Sequence, residues 1–120
     1  MQKICGRIIR GKGEGRKLGY PTANLEYICD QVPEPGVWIC RGTVQGMESM
    51  GLAVIGMWSL PNGSPSLEVY LLDVERDLYD QDMEVIFVKK LRDLKKFFDV
   101  KSLIKQIEQD IEEARRLFPV

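Results

Sequence analysis

Residues 11–24 read Gly-Lys-Gly-Glu-Gly-Arg-Lys-Leu-Gly-Tyr-Pro-Thr-Ala-Asn. Gly11, Gly13, Gly15 and Gly19 crowd into nine residues, and Arg16 and Lys17 stand side by side among them. Glycines let a backbone approach a ligand closely, and clustered N–H groups form a nest for phosphate oxygens. Arg16 and Lys17 would add charge to such a nest. The segment is not a Walker loop, because it lacks the G-K-[ST] ending. Nor is it a dinucleotide fingerprint: Arg16 occupies the place of the third glycine and no helical pattern follows. A flexible hairpin accounts for the glycines equally well. Pro21 then fixes its own φ and forces Tyr20 into an extended form. In an extended chain Thr22 and Asn24 point to the same side. A hydroxyl and an amide carbonyl side by side are neutral oxygen ligands, and Mg²⁺ needs few protein ligands when phosphates and water complete its shell. An Asx or Ser/Thr turn that satisfies its own backbone is the alternative.

Outward from this stretch the chain reads as short strands broken by turns. Apolar runs at residues 4–9, 36–44, 51–58, 67–72 and 83–91, with a short one at 18–25, predict six strands. Turn chemistry at Pro33-Glu34-Pro35-Gly36 and Pro61-Asn62-Gly63-Ser64-Pro65 separates some of them. In the run at 67–72, Glu68 and Tyr70 fall on one face and Val69 and Leu71 on the other. Strands at such spacing predict a barrel or a sandwich. The last twenty residues differ. Leu103, Ile107, Ile111, Ala114 and Phe118 recur at helical spacing, with Ile104 and Leu117 alongside, after Asp99 as an N-cap and before Pro119 as a stop. There is no internal repeat and no linker, so a single domain over residues 1–120 is expected.

The 120 residues hold 17 basic and 18 acidic side chains, a net charge of −1. That balance argues against a nucleic-acid or membrane-surface partner, both of which favour a basic excess. No run approaches the roughly 18 apolar residues of a membrane span. The N-terminus reaches Gly6 and Arg7 before an apolar run builds, which does not suit a signal peptide, so a cytoplasmic location is expected. The absence of histidine removes Ser-His-Asp and Cys-His schemes and leaves proton abstraction to a carboxylate, lysine, tyrosine or cysteine. Cys5, Cys29 and Cys40 read as reduced thiols, with Cys5 and Cys40 packed as small hydrophobes in their strands.

The segment GRIIRGKGEGRKLGYPTANL at residues 6–25 resembles the signature of riboflavin kinases, with Pro21-Thr22-Ala23-Asn24 as its specific element. Weaker likenesses follow in order: Gly36-Val37-Trp38, Ile55-Gly56, Leu67 through Asp73, Asp77-Leu78-Tyr79, Leu91-Arg92, Lys96-Phe97, and the helix start from Ser102 to Arg115. The resemblance implies an all-β fold with a C-terminal helix, a six-stranded antiparallel Greek-key barrel. It implies ATP- and Mg²⁺-dependent phosphorylation of riboflavin at the ribityl 5′-hydroxyl, giving FMN and ADP; separately, a monomer is expected. Gly11, Gly13, Gly15, Arg16 and Lys17 would then cover the nucleotide, together with Thr22 and Asn24, which would hold the metal. Glu68 would be the catalytic base, and Arg92, in the segment that closes over the flavin, would be a flavin-binding residue. Without the resemblance, Glu68 reads as a solvent-facing strand residue.

The sequence departs from the family's pattern on the flavin side. Met57-Trp58-Ser59-Leu60-Pro61-Asn62-Gly63 lacks the usual Pro-Thr, Tyr70 stands in place of a histidine, and Asp93-Leu94 replaces the common Pro-Glu. Trp58 could stack on an isoalloxazine ring or pack in the core. The bacterial enzymes commonly carry an FMN adenylyltransferase domain ahead of the kinase, for which 120 residues leave no room; a stand-alone kinase or an excised domain is expected. A non-catalytic barrel that holds a flavin or nucleotide is the alternative, and a nucleic-acid-binding barrel a more distant one.

Overall fold

Alternation of apolar and polar residues builds a wall with two faces. The computed structural model describes residues 2–9, 19–29, 31–74 and 78–117. Six strands, β1 (Lys3–Ile9), β2 (Ala23–Tyr27), β3 (Gly36–Val44), β4 (Met47–Ser59), β5 (Pro65–Leu71) and β6 (Asp82–Arg92), precede one helix, α1 (Val100–Leu117). The strands close into a barrel in the order β1-β2-β5-β4-β3-β6, and every pairing is antiparallel. Strands β3, β4 and β5 form a meander and β6 returns beside β3, which is the Greek-key connection the resemblance implies. Closure removes the free sheet edges.

One face of each strand fills the barrel. Ile8, Leu25, Ile55, Leu67, Val69 and Phe87 are all within 2% of complete burial there. A second apolar cluster, of Val37, Ile39, Leu52, Leu72 and Ala114, lies on the outer face beneath α1, joined by Val54, Tyr70, Leu91, Ile111 and Leu117. The helix therefore makes a second core out of one sector of the barrel's outside.

Every strand but β3 differs from expectation at one or both ends, β5 for instance running from Pro65 to Leu71, and one side chain differs in placement. The strand expected at 18–25 runs from Ala23 to Tyr27, because Pro21 has no N–H to give a ladder and delays its start. Strand β4 begins at Met47, four residues early. Gln45 (φ 52°) and Gly46 (φ 76°) make a two-residue turn that pairs Val44 with Met47, so the ladder continues into polar Glu48 and Ser49. Strand β6 runs on to Arg92. Cys5 is exposed and not packed, since Ile4 and Ile8 already claim the inward face of β1. Cys40 is fully buried, and burial pushes its thiol up to about 12.

Asp99 caps α1 as expected: its Oδ1 accepts the Ser102 N–H at 2.8 Å. That hydrogen bond favours the carboxylate and lowers its pKa from the ordinary value of 3.8. A lowered folded-state pKa means the cap's contribution is complete above the unfolded value and is lost as pH falls from there through the lower folded value. Asp99→Ala should lower the thermal midpoint at pH 7, whereas Asp99→Asn, which keeps an acceptor, should hold it and flatten its decline below pH 4. Thermal melts across pH read both. Phe118 and Pro119, the expected end of the helix, lie outside the described residues. Among the described residues no helix is long and apolar enough to cross a membrane.

Candidate functional site

Strand pairing brings two of the candidate residues together. Asn24 on β2 stands directly opposite Glu68 on β5. Directly opposed residues project from the same face with Cβ atoms about 5 Å apart. That face is the outer one, because Leu67 and Val69 on either side of Glu68 point into the barrel. Asn24 is only 5% exposed, and its Oδ1 is buried with no hydrogen-bond partner among the described residues. An unsatisfied buried carbonyl costs about 1–3 kcal/mol, so such an atom calls for an explanation. An oxygen donor beside a carboxylate fits a hard divalent cation. Asn24 and, two residues earlier, the half-buried Thr22 are the residues that could hold one. Gly11, Gly13, Gly15, Arg16 and Lys17, which the sequence assigns to the nucleotide, lie outside the described residues, as does Asp77.

From Glu68 the outer face continues around the barrel. Glu68 pairs with Val54 on β4, Val54 with Val37 on β3, and Val37 with Arg92 on β6. Glu68 and Arg92 therefore occupy two ends of one row. They are three strand spacings apart, about 14 Å along the wall. Arg92 does not reach into open space. Its Nε donates to both Asp110 carboxylate oxygens at 3.0 and 3.1 Å and its Nη2 to Oδ2 at 2.8 Å, so the guanidinium is held bidentately by α1. Gln106 Nε2 donates to the same carboxylate at 2.9 Å. Asp110 is 4% exposed. The resemblance gives Asp110 no role, although it falls three residues after Ile107 and four before Ala114, on the apolar stripe.

The loop that departs from the family's pattern is tied down by its own polar groups. Asn62 Nδ2 donates to the Tyr27 carbonyl at 3.1 Å, and Asn62 Oδ1 accepts the Ser64 N–H at 2.9 Å. The Trp58 N–H donates to Ser66 Oγ at 3.1 Å, and its ring packs against the barrel core. Gly56, at φ 94°, lets β4 turn toward this loop; a Cβ there would sit 2.9 Å from Pro35 Cβ. On the other side, Lys90 Nζ donates to Glu34 Oε1 at 2.8 Å and so fastens the Pro33-Glu34-Pro35 turn to β6. A second buried acceptor without a partner among the described residues is Gln81 Oε1, just before β6, where Gln81 O accepts the Ile8 N–H at 2.8 Å. No sequence signal pointed to it.

The fold is a closed six-stranded antiparallel barrel with one helix on its wall, and its outer face sets the Glu68 carboxylate beside an Asn24 oxygen that has no partner among the described residues. The family model of the flavokinases, described as riboflavin kinase, matches residues 1–118. A bifunctional riboflavin kinase/FMN adenylyltransferase of Pseudomonas fluorescens is 37% identical over 117 residues, which cover 96% of this chain and 38% of that protein. An RNA-binding riboflavin kinase of Bacillus subtilis is 35% identical over 113 residues, covering 92% of this chain and 49% of that protein. Among solved structures, one described as a macrolide-efflux protein from Streptococcus pneumoniae superposes with a TM-score of 0.87 at 30% identity, over 94% of this chain and 38% of that one. A riboflavin kinase from Trypanosoma brucei gives 0.73 at 22% identity, over 96% and 78%, and shares the fold. The chain belongs to the riboflavin kinase family. It spans between about a third and a half of the length of these curated relatives.

Proposed function

We propose that the chain transfers the γ-phosphoryl group of ATP to the ribityl 5′-hydroxyl of riboflavin, in the presence of Mg²⁺, to give FMN and ADP. The bond between the γ-phosphorus and its bridging oxygen breaks, a new bond forms to the 5′-oxygen, and the hydroxyl proton passes to Glu68. Phosphoryl transfer asks a protein mainly for positioning and charge neutralisation, plus a group to orient the nucleophile. A carboxylate between two buried positions of a strand meets the last need. The bound cation would neutralise phosphate charge; Thr22 and Asn24 supply the oxygens that hold it. Gly11, Gly13, Gly15, Arg16 and Lys17 cover the nucleotide in this reading. Arg92 serves the flavin side by keeping α1 and the segment after β6 in place. The reading needs no partner chain and takes the protein to work as a monomer in the cytoplasm.

The observation that carries the proposal is the buried Oδ1 of Asn24, without a hydrogen-bond partner among the described residues and directly across from Glu68. The test is chromatographic detection of FMN from riboflavin, ATP and Mg²⁺, with wild type and Asn24→Ala compared across a Mg²⁺ titration. Wild type should form FMN. Asn24→Ala should need at least about tenfold more Mg²⁺, the value of one lost ligand worth about 1.4 kcal/mol. A folded wild type that forms no FMN overturns the kinase reading. An unchanged Mg²⁺ requirement in Asn24→Ala removes the metal from that residue.

A further inference from the structure

The rings of Tyr20 and Tyr70 meet edge to face, with centroids 5.8 Å apart and planes at 81°. This is a preferred geometry for aromatic pairs. The two residues bracket the site described above. Tyr20 lies two residues before Thr22, and Tyr70 two residues after Glu68 on the same face of β5. The β2–β5 register consists of Ala23 against Val69 and Asn24 against Glu68, so Thr22 lies one residue beyond the ladder. Pro21, between Tyr20 and Thr22, has no N–H with which to extend it. Gly19, just before, takes a φ of 88°, and a Cβ there would meet no atom within 4 Å. Beyond the ladder, the Tyr20 ring on Tyr70 attaches this segment to the wall.

Tyr70 is a fixed post. It stands opposite Leu52 on β4 and packs in the outer cluster with Leu52, Ile111 and Leu117 beneath α1. We infer that the Tyr20–Tyr70 contact positions Thr22 against Asn24 and Glu68, and so sets the geometry of the cation and nucleotide site. Tyr20 and Tyr70 are positioning residues and touch no reacting atom. The inference rests on the kinase reading, and it adds that helix packing on one side of Tyr70 is coupled to metal geometry on the other.

The test compares Tyr20→Ala, Tyr70→Ala, the double variant, Tyr20→Phe and Tyr70→Phe. Each is scored by the apparent KM for Mg·ATP, the KM for riboflavin, the calorimetric Kd for Mg·ADP, and the thermal midpoint. Loss of one aromatic pair corresponds to about two- to tenfold in an equilibrium constant. Tyr20→Ala should therefore raise the KM for Mg·ATP and the Kd for Mg·ADP by that factor and leave the KM for riboflavin alone. The phenylalanine variants keep the ring and should stay within about twofold of wild type. The double alanine variant should be no worse for Mg·ADP than either single one, because both remove the same contact. Tyr70→Ala also strips packing from α1 and could unfold the protein. Tyr20→Ala leaves that packing intact and is decisive alone. FMN formation by wild type together with an unchanged Mg·ADP Kd in a folded Tyr20→Ala overturns this inference and spares the kinase reading. Absence of FMN from wild type overturns both. Additive losses in the double variant would also overturn it.

Discussion

Glu68→Gln is expected to lower kcat for FMN formation about 10²- to 10⁴-fold, the usual worth of a positioned general base. Glutamine keeps the length of the side chain and an oxygen acceptor but cannot take the ribityl proton at neutral pH. The KM for riboflavin should change only a few-fold. That split would mark an interaction made in the transition state and not in the ground state. The structure gives a reason for the size of the effect. Leu67 and Val69, each 1% exposed, fix the β5 backbone on both sides of Glu68, and Asn24 and Val54 oppose it from the two neighbouring strands. A carboxylate so held cannot wander far from one position, and positioning is where most of the rate resides. Glu68→Asp draws the carboxylate back by one methylene and should fall between wild type and Glu68→Gln. Steady-state kinetics by chromatography of FMN would decide. Undiminished kcat in Glu68→Gln would deny Glu68 the role of base. A wild type that binds riboflavin tightly without turnover would instead favour the non-catalytic barrel.

The barrel was legible because its strands are simple. β3 was expected at residues 36–44 and observed at Gly36–Val44; its ends are set by a Pro-Glu-Pro-Gly turn and a tight two-residue turn, both local chemistry. β2 was less legible because its two ends obey different rules. Pro21 cut its start, and its finish depended on β1, which pairs with it out to Tyr27. Cys5 was misplaced because an apolar run does not say which residues face inward until a partner strand fixes the face. In the site, Glu68 and Asn24 could each be named from the sequence. That they stand directly opposite one another is a fact of register, which needs the fold. The same is true of the Tyr20–Tyr70 contact, which links residues 50 positions apart. Asp110 was legible in principle. A carboxylate on the apolar stripe of an amphipathic helix predicts a buried cationic partner, and Arg92 was already singled out for another reason.

Asp110→Ala is expected to destabilise the fold by about 3 kcal/mol, with little change in the slope of its urea unfolding curve. Burying an ion pair costs desolvation of both charges, so the Arg92–Asp110 pair need add little net stability over an apolar pair of the same shape. Removing one partner is different, because the other charge stays where water reaches it poorly. The Arg92 side chain is 20% exposed and that of Asp110 5%. The stranded guanidinium could recover part of its hydration, which places the cost at the lower end of the range for broken buried pairs. Arg92→Ala strands the more deeply buried carboxylate and leaves it Gln106 Nε2 as a remaining donor, so it should cost at least as much. Replacing both, as Arg92→Met with Asp110→Leu, removes the charges together and should come within about 1 kcal/mol of wild type. The cycle separates two views of this pair. A large single-variant loss with near recovery in the double identifies an electrostatic lock whose cost lies in being broken. Losses that add would mean that Arg92 and Asp110 act through separate packing contacts. A loss below about 1 kcal/mol in Asp110→Ala would mean that water already reaches the pair in solution. The lock is also the link from the last residue of β6 to the middle of α1, and α1 packs over Val37 and Val54, the middle of the row that runs from Arg92 to Glu68. Breaking it should therefore loosen the helix from the wall that carries the base before it disturbs the barrel itself. Hydrogen exchange would show this as faster exchange in α1 with the β1–β2 amides still protected.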